Sequence, residues 1–188
     1  MIDKEKIQAA VASMLDAIGE DPSREGLIDT PSRVAEMYGE FFSGIHQDPV
    51  KVLATGFEKD HNELVILKNI SFFSICEHHL LPFFGVAHVG YVPAGRLVGA
   101  SKIARALDIL GRRPQLQERL TSQLVDAISS AVQPQGVAAV VEAEHLCISL
   151  RGANKRDSKF VTSASKGTLK TQPTVRQEFL NLIADRQS

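Results

Sequence analysis

The apolar positions of this chain change period along its length, and each change marks an element. Over residues 3–18, Ile7, Val11, Met14, Leu15 and Ile18 fall on one stripe at helical spacing, with Asp3 placed to cap the helix and Gly19 to stop it. Asp29-Thr30-Pro31 repeats a cap-then-proline start, and Val34, Met37, Tyr38, Phe41 and Phe42 continue the stripe as far as Gly44. Asp48-Pro49 predicts a short third turn through Val50 and Leu53, after which Thr55-Gly56 and the polar stretch 58–63 read as a connector. These segments predict a helical appendage over 1–60, ahead of a main domain over 61–188.

From Leu64 the pattern becomes that of strands. Leu64-Val65-Ile66-Leu67, Ile70, Phe72 and Phe73 place apolar groups on both alternating faces, as in a strand covered on both sides. Leu81 to Gly85 turns the chain, and Val86 to Val92 makes a return strand that Pro93 ends. Two helices follow, Ser101–Leu110 and Pro114–Val132, the second with Leu116, Leu120, Leu124, Ile128 and Val132 spaced by fours. Val137 to Leu150 reads as one long strand, Lys159 to Leu169 as a weaker one, and Pro173 to Ala184 as a last helix. The order is β-β-α-α-β-β with helices in front and behind, an α+β pattern without repeats or low-complexity tracts.

Composition narrows the function classes without choosing one. With 44% hydrophobic and 23% charged residues and a net charge of -1, the chain has no global attraction for nucleic acid or anionic lipid. Neither partner is expected, and a polyanionic ligand would need a local basic cluster. No run of about 18 apolar residues is present, and the N-terminal segment is amphipathic rather than a signal-peptide core, so a cytoplasmic, non-membrane protein is expected. In that reducing compartment the two cysteines argue for metal binding or catalysis rather than a disulfide.

Those cysteines carry the chemistry. Cys76-Glu77-His78-His79 is a C-x-x-H turn, and His145-Leu146-Cys147 supplies a distant thiol; three such ligands suit tetrahedral zinc with its fourth position open. The plain alternative is two buried cysteines acting as small hydrophobes. Period two along Val137–Leu150 puts His145, Cys147, Ser149 and Arg151 on one face, so His145 would stand beside the ion able to move a proton. Adjacent extended residues face opposite ways, so of His78 and His79 one should be ligand and the other catalyst; the C-x-x-H spacing favours His79 as ligand. A purely structural zinc would need a fourth protein ligand, and His46, His61 and His88 lack ligand-like spacing. Ser101-Lys102-Ile103-Ala104-Arg105 sets two cations at a helix start, where they are unfavourable unless an anion is bound, and Arg151 could extend that cluster. Gln117 and Glu118 open the next helix with an amide and a carboxylate that could match a guanine-like edge.

Together these runs resemble GTP cyclohydrolase I. Phe73 to Gly85 is similar to that family's zinc hairpin, and Gly99-Ala100-Ser101-Lys102 with Arg105 to its phosphate-binding helix start. Arg112 to Thr121, His145-Leu146-Cys147 with Arg151-Gly152, and Gly26-Leu27 with Thr30 to Val34 resemble its other signatures. The resemblance implies a tunnelling fold, with an antiparallel sheet that closes into a barrel in a pentamer, and a homodecamer of two pentamers with active sites between subunits. It implies conversion of GTP and water to 7,8-dihydroneopterin triphosphate and formate, the first step of pterin and tetrahydrofolate biosynthesis. Cys76, His79 and Cys147 would hold Zn2+, which activates water for attack on purine C8. His145 would protonate the purine, His78 the ribose ring oxygen, and Ser101 would join the later rearrangement. Lys102, Arg105 and Arg151 would clamp the triphosphate, while Gln117 and Glu118 read the guanine edge. Val161-Thr162-Ser163-Ala164 departs from the family's threonine-rich run, and no substrate contact is assigned to residues 159–169.

Overall fold

The structure, a computed structural model, describes residues 2–58 and 60–184. The chain separates into two compact units, Met1–Ser43 and Gly44–Ser188. Met1 and residues 185–188, at the ends of the two expected divisions, lie outside the described residues.

The first unit is a helix pair. Helix α1 (Lys4–Ala17) starts where the Asp3 carboxylate accepts the Lys6 N–H at 3.0 Å, and the chain leaves it through Gly19, whose φ of 83° suits a residue without Cβ. Helix α2 (Thr30–Phe41) carries Pro31 in its first turn. Asp29 precedes it with an already helical backbone (φ -93°, ψ -5°) and caps no backbone N–H; its carboxylate accepts from the Arg33 guanidinium at 3.0 Å. The two helices pack together, and Lys4 pairs with Glu36.

The second unit follows the order α3 (Pro49–Leu53), β1 (Gly56–Glu58), β2 (Val65–Cys76), β3 (Pro82–Val92), β4 (Arg96–Val98) and α4 (Ala100–Gly111). It continues with β5 (Pro114–Gln115), α5 (Gln117–Val132), β6 (Gly136–His145), α6 (Leu146–Ser149), β7 (Phe160–Gly167), α7 (Thr168–Thr171) and α8 (Pro173–Ile183). Five strands form one sheet in the order β5-β2-β3-β6-β7, antiparallel except for β5, which runs parallel to the end of β2. The architecture is α+β. Period-two alternation divides β6 between two clusters. Val137, Ala139, Val141 and Ala143 join Leu107, Leu110, Leu120, Leu124 and Ile128 of α4 and α5, while Ala138 and Val140 meet Leu169 and Phe179. Each fully buried leucine or isoleucine there contributes about 1.5–3 kcal/mol. Phe179 of α8 fills a notch over Gly90, where a Cβ would stand 2.5 Å from the ring.

Several sequence expectations change. Helix α3, expected in the appendage over 1–60, packs against α4 and α5, and Leu53 is buried in their core. Thr55-Gly56, read as connector, leads into β1, which pairs with β4 in a two-stranded ribbon; three-residue strands are too short to show a period. Pro114-Gln115, expected as helix, is β5, and α5 begins at Gln117. The strand expected over Val137–Leu150 ends at His145, because its β3 partner ladder ends at Phe83↔His145. With no further backbone to pair with, the chain coils into the single turn α6. His88 meets a backbone need, its Nδ1 lying 3.3 Å from the Asn69 N–H at a bulge in β2 where Asn69 has φ 58°. Among the described residues no helix is long and apolar enough to cross a membrane.

Candidate metal centre

The hairpin between β2 and β3 carries the first two residues of a group that could hold a metal ion, Cys76 and His79. At its base the Cys76 N–H donates to Leu81 O at 2.9 Å and the Leu80 N–H to Cys76 O at 2.9 Å, closing a turn in which Leu80 takes the left-handed conformation, φ 53°. The Glu77 N–H donates to Gln115 O at 3.1 Å, and the Arg119 guanidinium grips the Glu77 carboxylate through two bonds of 2.5 and 3.0 Å. That fork ties the hairpin to the first turn of α5 and holds the Glu77 carboxyl below its usual range. His78 and His79 therefore sit in a turn, not in extended chain, so the opposite-faces argument does not govern them. Their rings stand nearly perpendicular, 89°, with centroids 6.2 Å apart, and both line one cavity.

Distance separates them instead. The Cys76 and Cys147 sulfurs and a His79 ring nitrogen all lie within 4.8 Å of one another, and Cys76 Sγ is 3.9 Å from His79 Nδ1. Tetrahedral zinc with these ligands needs separations of roughly 3.5–3.8 Å, so the donor set fits the ion with small contraction. Among the described residues no fourth Cys, His, Asp or Glu joins the group. Cys147 arrives on α6, just past the strand end. Burial pushes its thiol pKa up, and neighbouring Cys76 adds to this while Arg151 opposes it. A bound divalent cation reverses that balance, since it favours thiolate.

The cavity, about 260 Å³, is lined by Cys76, His78, His79, Glu118, His145 and Cys147, with Gln115 to Gln117, Ile148 and Phe160 completing it. His145 lies flat on Phe83, centroids 4.5 Å apart and planes 6° from parallel, with the Phe160 ring edge-on at 5.5 Å. Burial lowers its pKa and the Glu118 charge partly restores it. Gln117, expected at a ligand edge, is instead buried, with its amide bonded to Val141 O, Phe160 O, the Thr162 hydroxyl and the His145 ring. Thr162 is the residue that sequence reasoning missed; the alternation of β7 could have pointed it at α5, but nothing in the sequence paired it with Gln117. Ser149, expected on the reactive face, is buried with its hydroxyl unbonded. Ser101, Lys102 and Arg105 occupy the first turns of α4, with Gly99 as N-cap, and do not line this cavity. Arg151 is exposed beyond α6, close enough for its charge to act on Cys147.

Comparison with known proteins adds a family. A family model described as GTP cyclohydrolase I matches residues 7–184. The chain is 55% identical over 188 residues to "GTP cyclohydrolase 1" of Caldanaerobacter subterraneus subsp. tengcongensis, covering 100% of both chains. It is 56% identical over 183 residues to "GTP cyclohydrolase 1" of Halalkalibacterium halodurans, covering 97% of each. Among solved structures, the archaeosine synthase QueF-Like in the apo form matches with a TM-score of 0.45 and 23% identity over 55% of this chain and 93% of that one.

Proposed function

The chain belongs to the GTP cyclohydrolase I family and is a hydrolase, and from that premise we propose that it converts GTP and water to 7,8-dihydroneopterin triphosphate and formate using zinc. One observation carries this reading: the Cys76–His79–Cys147 group shares its cavity with His78, His145 and Glu118. When held there, zinc supplies an acidified water as the nucleophile for purine C8. The chain's own groups do the rest. His145, whose protonated ring burial makes more acidic, gives a proton to the purine nitrogen, and His78 gives one to the ribose ring oxygen. Glu118 accepts from the guanine edge, a pairing that rejects adenine because the carboxylate would be left unmatched. Of the two residues expected at the guanine edge, Glu118 carries that role alone, since the Gln117 amide is bonded inside the chain.

Lys102 and Arg105 clamp the triphosphate with Arg151, and Ser101 serves the later rearrangement. Because the first turn of α4 lies outside the cavity, the clamp of one chain serves the site of its neighbour. That arrangement suits a homodecamer of two pentamers built on the tunnelling fold, working in the cytoplasm at the first step of pterin and tetrahydrofolate biosynthesis.

Incubation of zinc-loaded protein with GTP tests the reading. Formate, and a pterin that fluoresces after oxidation, should appear together. Neither product, or a ring-opened formamide as the end product by mass, would overturn it.

A further inference from the structure

Gln117 is 1% exposed, and the two hydrogens of its amide nitrogen face three acceptors, Val141 O (3.0 Å), Phe160 O (2.9 Å) and Thr162 Oγ1 (3.1 Å), so that one hydrogen is shared. Its oxygen lies 2.8 Å from His145 Nε2. Groups that have no choice of role fix the direction of every bond in this set. Backbone carbonyls only accept, so the amide NH2 faces Val141 and Phe160 and the amide oxygen faces His145. An amide oxygen carries no hydrogen, so His145 Nε2 must carry one. Behind Gln117, the Thr121 hydroxyl donates its one hydrogen to Gln117 O at 2.7 Å. The 2.7 Å contact between the Thr121 and Thr162 hydroxyls therefore runs from Thr162 to Thr121. The chain of bonds is directional from end to end: His145 to the Gln117 oxygen, the Gln117 nitrogen to Thr162, Thr162 to Thr121, and Thr121 back to the α5 backbone. Among the described residues, His145 Nδ1 has no hydrogen-bond partner.

We propose that Gln117 is a positioning residue that, backed by Thr162 and Thr121, holds His145 in the tautomer with its hydrogen on Nε2, leaving Nδ1 to exchange a proton with the substrate. The proposal rests on the reading of His145 as the proton-transferring group. Phe83 sets the plane of the ring by stacking, and the Gln117 oxygen sets its rotation within that plane, since Nε2 must stay within bonding distance. A merely structural amide would not need its oxygen aimed at a histidine, and a guanine-reading amide would need its donors free.

The test uses full-length, zinc-loaded protein. Nitrogen-15 spectra of histidine-labelled protein, taken at a pH where the ring is neutral and with the His145 signals assigned by their loss in His145→Ala, should show the single hydrogen on Nε2; a neutral ring with its hydrogen on Nδ1 overturns the proposal. This measurement needs no variant at Gln117 and no turnover, so it stands apart from whether the chain processes GTP. Gln117→Leu should retain zinc and keep KM for GTP within about twofold while kcat falls roughly 10- to 100-fold, part of the 10²–10⁴ that positioned acid–base groups supply. In the His145→Ala background the same substitution should cost nothing further, because it acts only through the ring. Thr162→Val, which leaves the two carbonyl acceptors in place, should lower kcat by less than Gln117→Leu. A rise in KM with kcat unchanged, or a full additional loss in the double variant, would overturn the proposal; should Gln117→Leu fold poorly, Thr162→Val with the spectra decides.

Discussion

Cys147 and His145 are two positions apart, yet the backbone turns from strand to helix between them, and that turn separates their roles. Cys147 belongs to the sulfur and nitrogen group within 4.8 Å, whereas His145 is held away by Gln117 and Phe83. Cys147→Ala should therefore lose most of its zinc by elemental analysis, because only two protein ligands remain. His145→Ala should keep its zinc and lose activity. Loss of zinc in both would mean that the ring is a ligand, contrary to the distances.

Element by element, the sequence was informative wherever an apolar period ran long enough to choose a face. α1, α2 and α5 follow the stripes read in the sequence, and α4, α8 and the β2–β3 hairpin appear near their expected ranges. The period failed at places decided by distant partners. β1 needs β4, β5 needs the end of β2, and β6 stops where β3 runs out. The site shows the same division: C-x-x-H spacing is local and legible, while the Gln117–Thr162 bond joins residues from two elements through tertiary contact alone. Helix α4 also carries a testable electrostatic feature. Asp108 lies in its last turn, where a negative charge opposes the helix dipole; crowding by protein raises the Asp108 carboxyl pKa and Arg112 opposes the shift. A carboxyl whose folded pKa is raised contributes stability below its unfolded pKa and loses it as pH rises through the folded value. Asp108→Asn should thus stabilise the protein at pH 7 by about 0.5 kcal/mol. The gain should vanish near pH 3 in thermal melts; an equal gain at both pH values would contradict the assignment.

At the scale of the whole molecule, the sheet of one chain is left open. Among the described residues, β7 pairs on one side only, and β2 beyond its short contact with β5 has no strand partner along one side. Open edges invite pairing with another chain, which is the physical ground for the proposed assembly. Sedimentation should find a species near ten times the 20.5 kDa chain mass, and Val161→Lys, on exposed β7, should shift the population toward smaller species. A protomer that sediments alone would remove the assembly. The one-turn helix α6 has a further consequence. Its cysteine and the hairpin cysteine are remote along the chain, so an ion joining them closes a long loop and acts as a reversible cross-link. Folding and chelation are then linked by mass action: the melting temperature should climb with the logarithm of free zinc, and zinc availability should set how long each copy survives as well as how fast it works.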